Sequence, residues 1–175
     1  STEGCEGDGY LDDYYSLSIR DIAAAAWHSS NYNAFDGNSF WCSDEDINGY
    51  LNSWIQYLDT PTIKMGTSGE LSAQIYYEIE SPDGAEGEVE NSCTDGWDAA
   101  NIRISIDAGN SWLLLEDSNY PYDFDCGYGW IWNDAEYDTG GSLNHLAPGW
   151  GGTTSNRWKN FNADLSAYAN QDVII

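Results

Sequence analysis

The chain has 175 residues, enough for one domain with a real core, and carries 30 Asp+Glu against 5 Lys+Arg for a formal charge of -25. So few cations exclude nucleic acid and anionic membrane surfaces as partners, because almost nothing is available to neutralise phosphate. Nine Trp and thirteen Tyr exclude a disordered acidic tail, and no run of about 18 apolar residues is present to insert into a membrane.

In chain order, "STEGCEGDGYLDDYYSLS" is polar and Gly-rich and reads as a surface lead-in. Residues 1–37 are therefore expected to form an N-terminal segment packed on a domain spanning 38–175. "RDIAAAAWH", Arg20 to His28, is the one convincing helix-forming run, although a strand of small side chains fits it equally. "DEDING" follows, with Asp44, Asp46 and Asn48 supplying oxygens on alternate residues and Gly49 supplying a sharp turn. That is the front half of a calcium loop. Ile55 stands where an EF-hand needs a bidentate Glu, so the choice lies between a non-helical calcium loop and a solvated acidic turn.

The clearest periodicity begins at residue 71. In "LSAQIYYEIE" the residues Leu71, Ala73, Ile75, Tyr77 and Ile79 fall on one face and the polar residues on the other, which predicts a half-buried strand. "NIRISID" repeats the pattern with Ile102, Ile104 and Ile106, "DAGN" makes a short loop, and "SWLLLE" returns as the partner strand. Trp97 and Trp112 flank this hairpin and are expected in the core. Two long loops, 81–96 and 120–156, separate the patterned segments, and loops of such length are commonly functional. Trp130, Trp132 and Trp150 lie in the second and are candidates for stacking on sugar rings. The chain ends on a turn and a strand, Val173 to Ile175, whose apolar finish predicts a sheet neighbour supplied by further residues or another chain. Several strands with long loops and little helix predict an all-β antiparallel sandwich.

Cys5, Cys42, Cys93 and Cys126 lack the C-x-x-C spacing of zinc or redox sites. Four cysteines in a secreted protein allow three pairings, of which Cys5–Cys42 with Cys93–Cys126 joins neighbouring loops; zinc is the alternative. Catalysis has little support, since His28 and His145 belong to no H-E-x-x-H motif and no G-x-S-x-G is present.

"NGYLNSWIQYLDTPTI", "YYEIE", "DGWDAANIRISIDAGNSW" and "WKNFNADLSAYANQDVII" together resemble the MAM-like jelly-roll module found in secreted bacterial proteins, including behind the peptidase domain of immune-inhibitor-A-type metalloproteases. The resemblance covers about residues 38 to 175. It departs in the insertion carrying Cys93, in Ala108 where the family has a first Gly, and in lacking the family's closing segment. It implies a jelly-roll β-sandwich and a second calcium site at the strand edge, held by Glu80 and Asp98 with Asp95 as a neighbour. The expectation is thus a non-catalytic, extracellular or cell-surface binding and adhesion module, stabilised by calcium. Its partners would be other domains of the same protein, neighbouring copies or glycans. The alternatives are a subunit of an extracellular fibre or surface layer assembled by strand complementation, and a carbohydrate-binding module. A saline habitat would explain the acidity as well as calcium does.

Overall fold

Short strands dominate the computed structural model, which describes residues 26–44, 46–47, 49–50, 56–83, 95–124, 126–127 and 148–175. By its internal contacts the chain divides into two units, Ser1–Leu58 and Asp59–Ile175. In the first, β1 (His28–Ser30) and β2 (Ser39–Trp41) form an antiparallel hairpin with His28 opposite Trp41. Tyr32 packs on Trp41 at 4.6 Å between ring centroids. The turn is tied by its own hydroxyls, with Tyr32 N–H donating to Ser30 Oγ and Phe35 N–H to Ser39 Oγ. This hairpin straddles residue 38, where the sequence suggests a boundary, and the division by internal contacts falls at 58/59. His28 belongs to a strand rather than to the end of a helix; residues 20–25 of that run lie outside the described residues.

The second unit is built on β4 (Glu70–Ile75) and β9 (Lys159–Asp164), a six-residue antiparallel ladder. The period-2 pattern places Leu71, Ala73 and Ile75 toward the core, opposite Ala163, Phe161 and Lys159. β9 was not legible as a strand, because its apolar residues are only Phe161 and Ala163 among three polar neighbours and an Asp. The predicted hairpin is present as β6 (Arg103–Ile104) and β7 (Leu113–Leu114). Its Ile face is shorter than expected: Ile104 is fully buried, whereas Ile106 is 44% exposed. The cause is local, since the backbone leaves the strand after Ser105 and turns through Ala108 (φ 60) and Gly109 (φ 86). Ala108, where the family pattern has Gly, thus sits in the left-handed region that glycine occupies without strain.

β3 (Ile63–Lys64) pairs with β10 (Asp172–Val173), and Ile174 forms an antiparallel bridge with Ser105. Thr60 N–H donates to Ile175 O on the β3 side. The last strand therefore has neighbours along both edges, and the missing partner expected there is already filled from within the chain. Further bridges join Glu78 to Thr153, Ala100 to Trp150 and Phe124 to Gly149. Ile104, Leu115, Trp150, Phe161, Ala163, Leu165 and Val173 close one core. Burying a side chain such as Phe161 or Val173 contributes about 1.5–3 kcal/mol. The described residues are all-β apart from one 3₁₀ turn, Ser166–Tyr168, and include no helix long and apolar enough to cross a membrane.

Candidate functional site

The acids expected to bind calcium fall on one closed turn and on two segments that meet at residues 149–152. Asp44 and Gly49 close the first acidic loop with reciprocal backbone hydrogen bonds of 2.9 and 3.2 Å, and Asp46 N–H donates to Asp44 Oδ1 at 2.8 Å. The tight turn predicted from D-x-D-x-N-G therefore forms, with the two carboxylates at its first and third positions. Asn48 lies outside the described residues. Glu80 and Asp98 both lie against the 149–152 segment: Gly152 N–H donates to Glu80 O, Ala100 bridges Trp150, and a Cβ on Gly151 would stand 3.3 Å from Asp98 O. Of Asp95 the backbone is described, in the parallel pair of β5 (Asp95–Gly96) with β8 (Cys126–Gly127). Among the described residues no three His, Cys, Asp or Glu side chains gather to hold a metal.

Several other acids are turned into loop fasteners. Asp107 Oδ1 accepts from Ser105 Oγ at 2.8 Å and from Ser111 N–H at 2.9 Å, and its Oδ2 accepts from the Ser111 hydroxyl at 2.6 Å. Ser111, with Ser105 adding to it, holds the Asp107 carboxyl below its ordinary range. Asp117 accepts from the backbone N–H of Asn119 and, across the fold, from that of Asn162 on β9, both at 2.8 Å. These backbone donors depress its pKa in the same way. Ser166 does so for Asp164.

Trp150 is only 2% exposed. Gly residues on either side gave it the look of a loop tryptophan, but it is the centre of an aromatic cluster and offers no face to a ligand. Its ring lies near-parallel to Tyr77 at 6.3 Å and Tyr120 at 5.5 Å, and edge-on to Phe161 at 5.5 Å. Its Nε1 donates to Pro121 O. The hydroxyls of Tyr77 and Tyr120 meet at 2.8 Å, and Tyr77 also donates to Asp123 Oδ2, which accepts Gly151 N–H at 3.1 Å. Burial, the Tyr120 hydrogen bond and the Asp123 charge push the Tyr77 pKa far up, so it stays a phenol. Burial pushes Tyr122 up to about 12, and its hydroxyl donates to the carbonyl of Leu115. Tyr77 was expected on the inward face of its strand, whereas Tyr120 and Asp123 were not singled out from sequence; the aromatic-acid run "YPYD" was the available signal. Trp97 and Trp112, expected in the core, are half-buried outside it, Trp112 lying 5.2 Å beneath the Arg103 guanidinium.

No protein-family model, curated protein or solved structure matches this chain. The remaining expected site residues, Trp130, Trp132, Cys5 and Cys93, lie outside the described residues. Cys42 follows β2, where burial pushes its thiol up to about 11. The β5–β8 register sets Asp95 opposite Cys126, bringing the backbone two positions after Cys93 beside the cysteine expected to be its partner. His28 Nδ1 is 2.7 Å from Ala26 O and its ring is 5.7 Å from Trp41.

Proposed function

We propose that this chain is a non-catalytic binding module of an extracellular protein, a jelly-roll unit of the MAM-like type whose loops are fixed by their own acids. The observation that carries this reading is the repeated use of one device: Asp44, Asp107, Asp117, Asp123 and Asp164 each accept a backbone N–H of a loop or strand end. Of these, Asp107, Asp117 and Asp164 are held ionised by their donors, and carboxylates so held brace backbone and make poor proton donors near neutral pH. The antiparallel ladders that face one core support the sandwich architecture, and the resemblance rests on the residues quoted above.

The 44–49 turn fits a calcium loop in its front half, since its closed backbone keeps Asp44 and Asp46 on one short turn. Asp44, Asp46 and Asn48 would hold the ion, and calcium would there neutralise carboxylates that otherwise repel. Melting the protein in about 1 mM calcium and in EDTA at equal ionic strength tests this; a gain of roughly 5 °C is expected. Asp44→Asn with Asp46→Asn should abolish the gain, and identical melts with and without calcium would reject the role.

A further inference from the structure

Alternation along β4 and β9 gives their ladder a second face. Residues directly opposite in an antiparallel pair project to the same side, so with Phe161 and Ala163 in the core the pairs Glu70/Asp164, Ser72/Asn162 and Gln74/Asn160 project outward. One position past the paired stretch, Tyr76 and Trp158 meet with ring centroids 5.6 Å apart, both half-buried. Tyr76 is fixed there by donating its hydroxyl hydrogen to Asn156 Oδ1. The face thus runs from an aromatic pair, through an amide pair and a hydroxyl, to two carboxylates. Its length is about 20 Å at roughly 3.3 Å per residue. At the carboxylate end a cleft of about 420 Å³ opens, lined by Ser68, Glu70, Asn162, Asp164 and Ser166 among others.

We propose that this outer face of β4 and β9 is the binding platform for a neutral, extended oligosaccharide. The inference deepens the binding-module reading and moves the ligand from the tryptophans expected in the Gly-rich loop to Trp158 and the strand pair. Each part matches a part of a sugar chain. The C–H face of a pyranose ring rests on the electron-rich face of an aromatic side chain. Sugar hydroxyls are both donors and acceptors, and the row offers both. Gln74 Nε2 donates to Asn160 Oδ1, which leaves Gln74 its carbonyl oxygen and a second N–H, and leaves Asn160 two N–H donors. Glu70 and Asp164 can only accept, which suits hydroxyls and repels an anionic glycan, as does the charge of -25. The cleft receives one end of the chain, where Ser68, Asn162 and Ser166 add hydroxyl and amide contacts. A row this long fits several linked sugar rings rather than a monosaccharide.

The test is titration of the whole 175-residue chain with cellohexaose, xylohexaose, mannohexaose and chitohexaose by calorimetry, together with an oligolysine peptide. At least one neutral hexasaccharide should bind, and more tightly than its monosaccharide. Trp158→Ala should weaken it about tenfold, the worth of one lost aromatic contact. Gln74→Ala and Asn160→Ala, which remove exposed amides without opening the core, should each weaken it by roughly three- to tenfold. Phe40→Ala, in the other unit, should leave it unchanged. Absence of binding to all four sugars overturns the proposal, as does binding that is indifferent to both amide substitutions. Oligolysine binding in preference to every sugar, released by salt, would overturn it in favour of a basic partner. Shorter products released from the bound hexasaccharide would keep the platform and overturn only the non-catalytic reading.

Discussion

Asp117 is only 4% exposed, and it survives burial because two backbone donors from different parts of the chain converge on it. Asn119 N–H closes its own loop and Asn162 N–H belongs to the outer edge of β9, so one side chain fastens the loop after β7 to the ladder. Asparagine has one carbonyl oxygen where aspartate has two, and its NH2 would face one of these N–H groups. Asp117→Asn should therefore cost about 1.5–3 kcal/mol at neutral pH, the range for hydrogen bonds to a charged group, measured by urea unfolding. The pH dependence has a definite sign. A carboxyl whose folded-state pKa is depressed contributes its stability above the ordinary aspartate value of about 3.9, and loses it as pH falls toward the folded-state value. The stability gap between wild type and Asp117→Asn should accordingly be full at pH 7 and shrink below about pH 4. A gap that does not change over that range would mean the ionised form has no special role.

Around Phe124 the packing of whole segments depends on absent side chains. A Cβ on Gly96 would stand 2.5 Å from the Phe124 ring, one on Gly151 2.8 Å from it, and one on Gly149 2.9 Å from Ala99 Cβ. Two segments, one at Gly96 and one at Gly149–Gly151, thus close onto one ring because glycine lets backbone approach it. Gly151→Ala should destabilise by about 1–3 kcal/mol, since the ring cannot withdraw from a filled core. Gly69→Ala is the informative control, because the only severe contact there, at 2.2 Å, is with the end of the Met65 side chain. That methyl can swing aside, so a smaller loss is expected, and equal losses by thermal melt would refute the distinction. These glycines also show why the sequence was readable in parts. Strand β4 and the β6–β7 hairpin announce themselves by alternation of large apolar residues, a local property. Trp150 was misplaced because "APGWGG" reads as a loop, whereas its glycines admit Phe124 and neighbouring backbone from remote parts of the chain. The outer face of β4 and β9 was invisible for a related reason: which residue stands opposite Gln74 is a matter of register with a segment more than eighty residues away. The acids at 44 and 46 were legible on a turn because D-x-D-x-N-G is a local pattern.

At the scale of the molecule, 30 Asp+Glu against 5 Lys+Arg leave most of the acid excess beyond the reach of ion pairing. Lys64 and Asp172 form a salt bridge at 3.5 Å with both side chains largely exposed, and such pairs contribute about 0–1 kcal/mol. Hydrogen bonds satisfy particular carboxylates, but they keep those groups ionised and therefore leave the mutual repulsion of the folded state in place. Unfolding moves like charges apart and relaxes that repulsion, so mobile cations should favour the folded form simply by screening. Between about 10 mM and about 1 M NaCl the screening length falls from roughly 30 to 3 Å, shorter than the distance between most neighbouring surface charges. The melting temperature should rise by several degrees across that range, with most of the gain at the lower concentrations. Because screening is indifferent to site, Asp44→Asn with Asp46→Asn should show nearly the same sodium dependence while losing any response specific to calcium. A melt that is flat or falls with sodium chloride would mean that hydrogen bonding already offsets the charge, and the acidity would then need another cause.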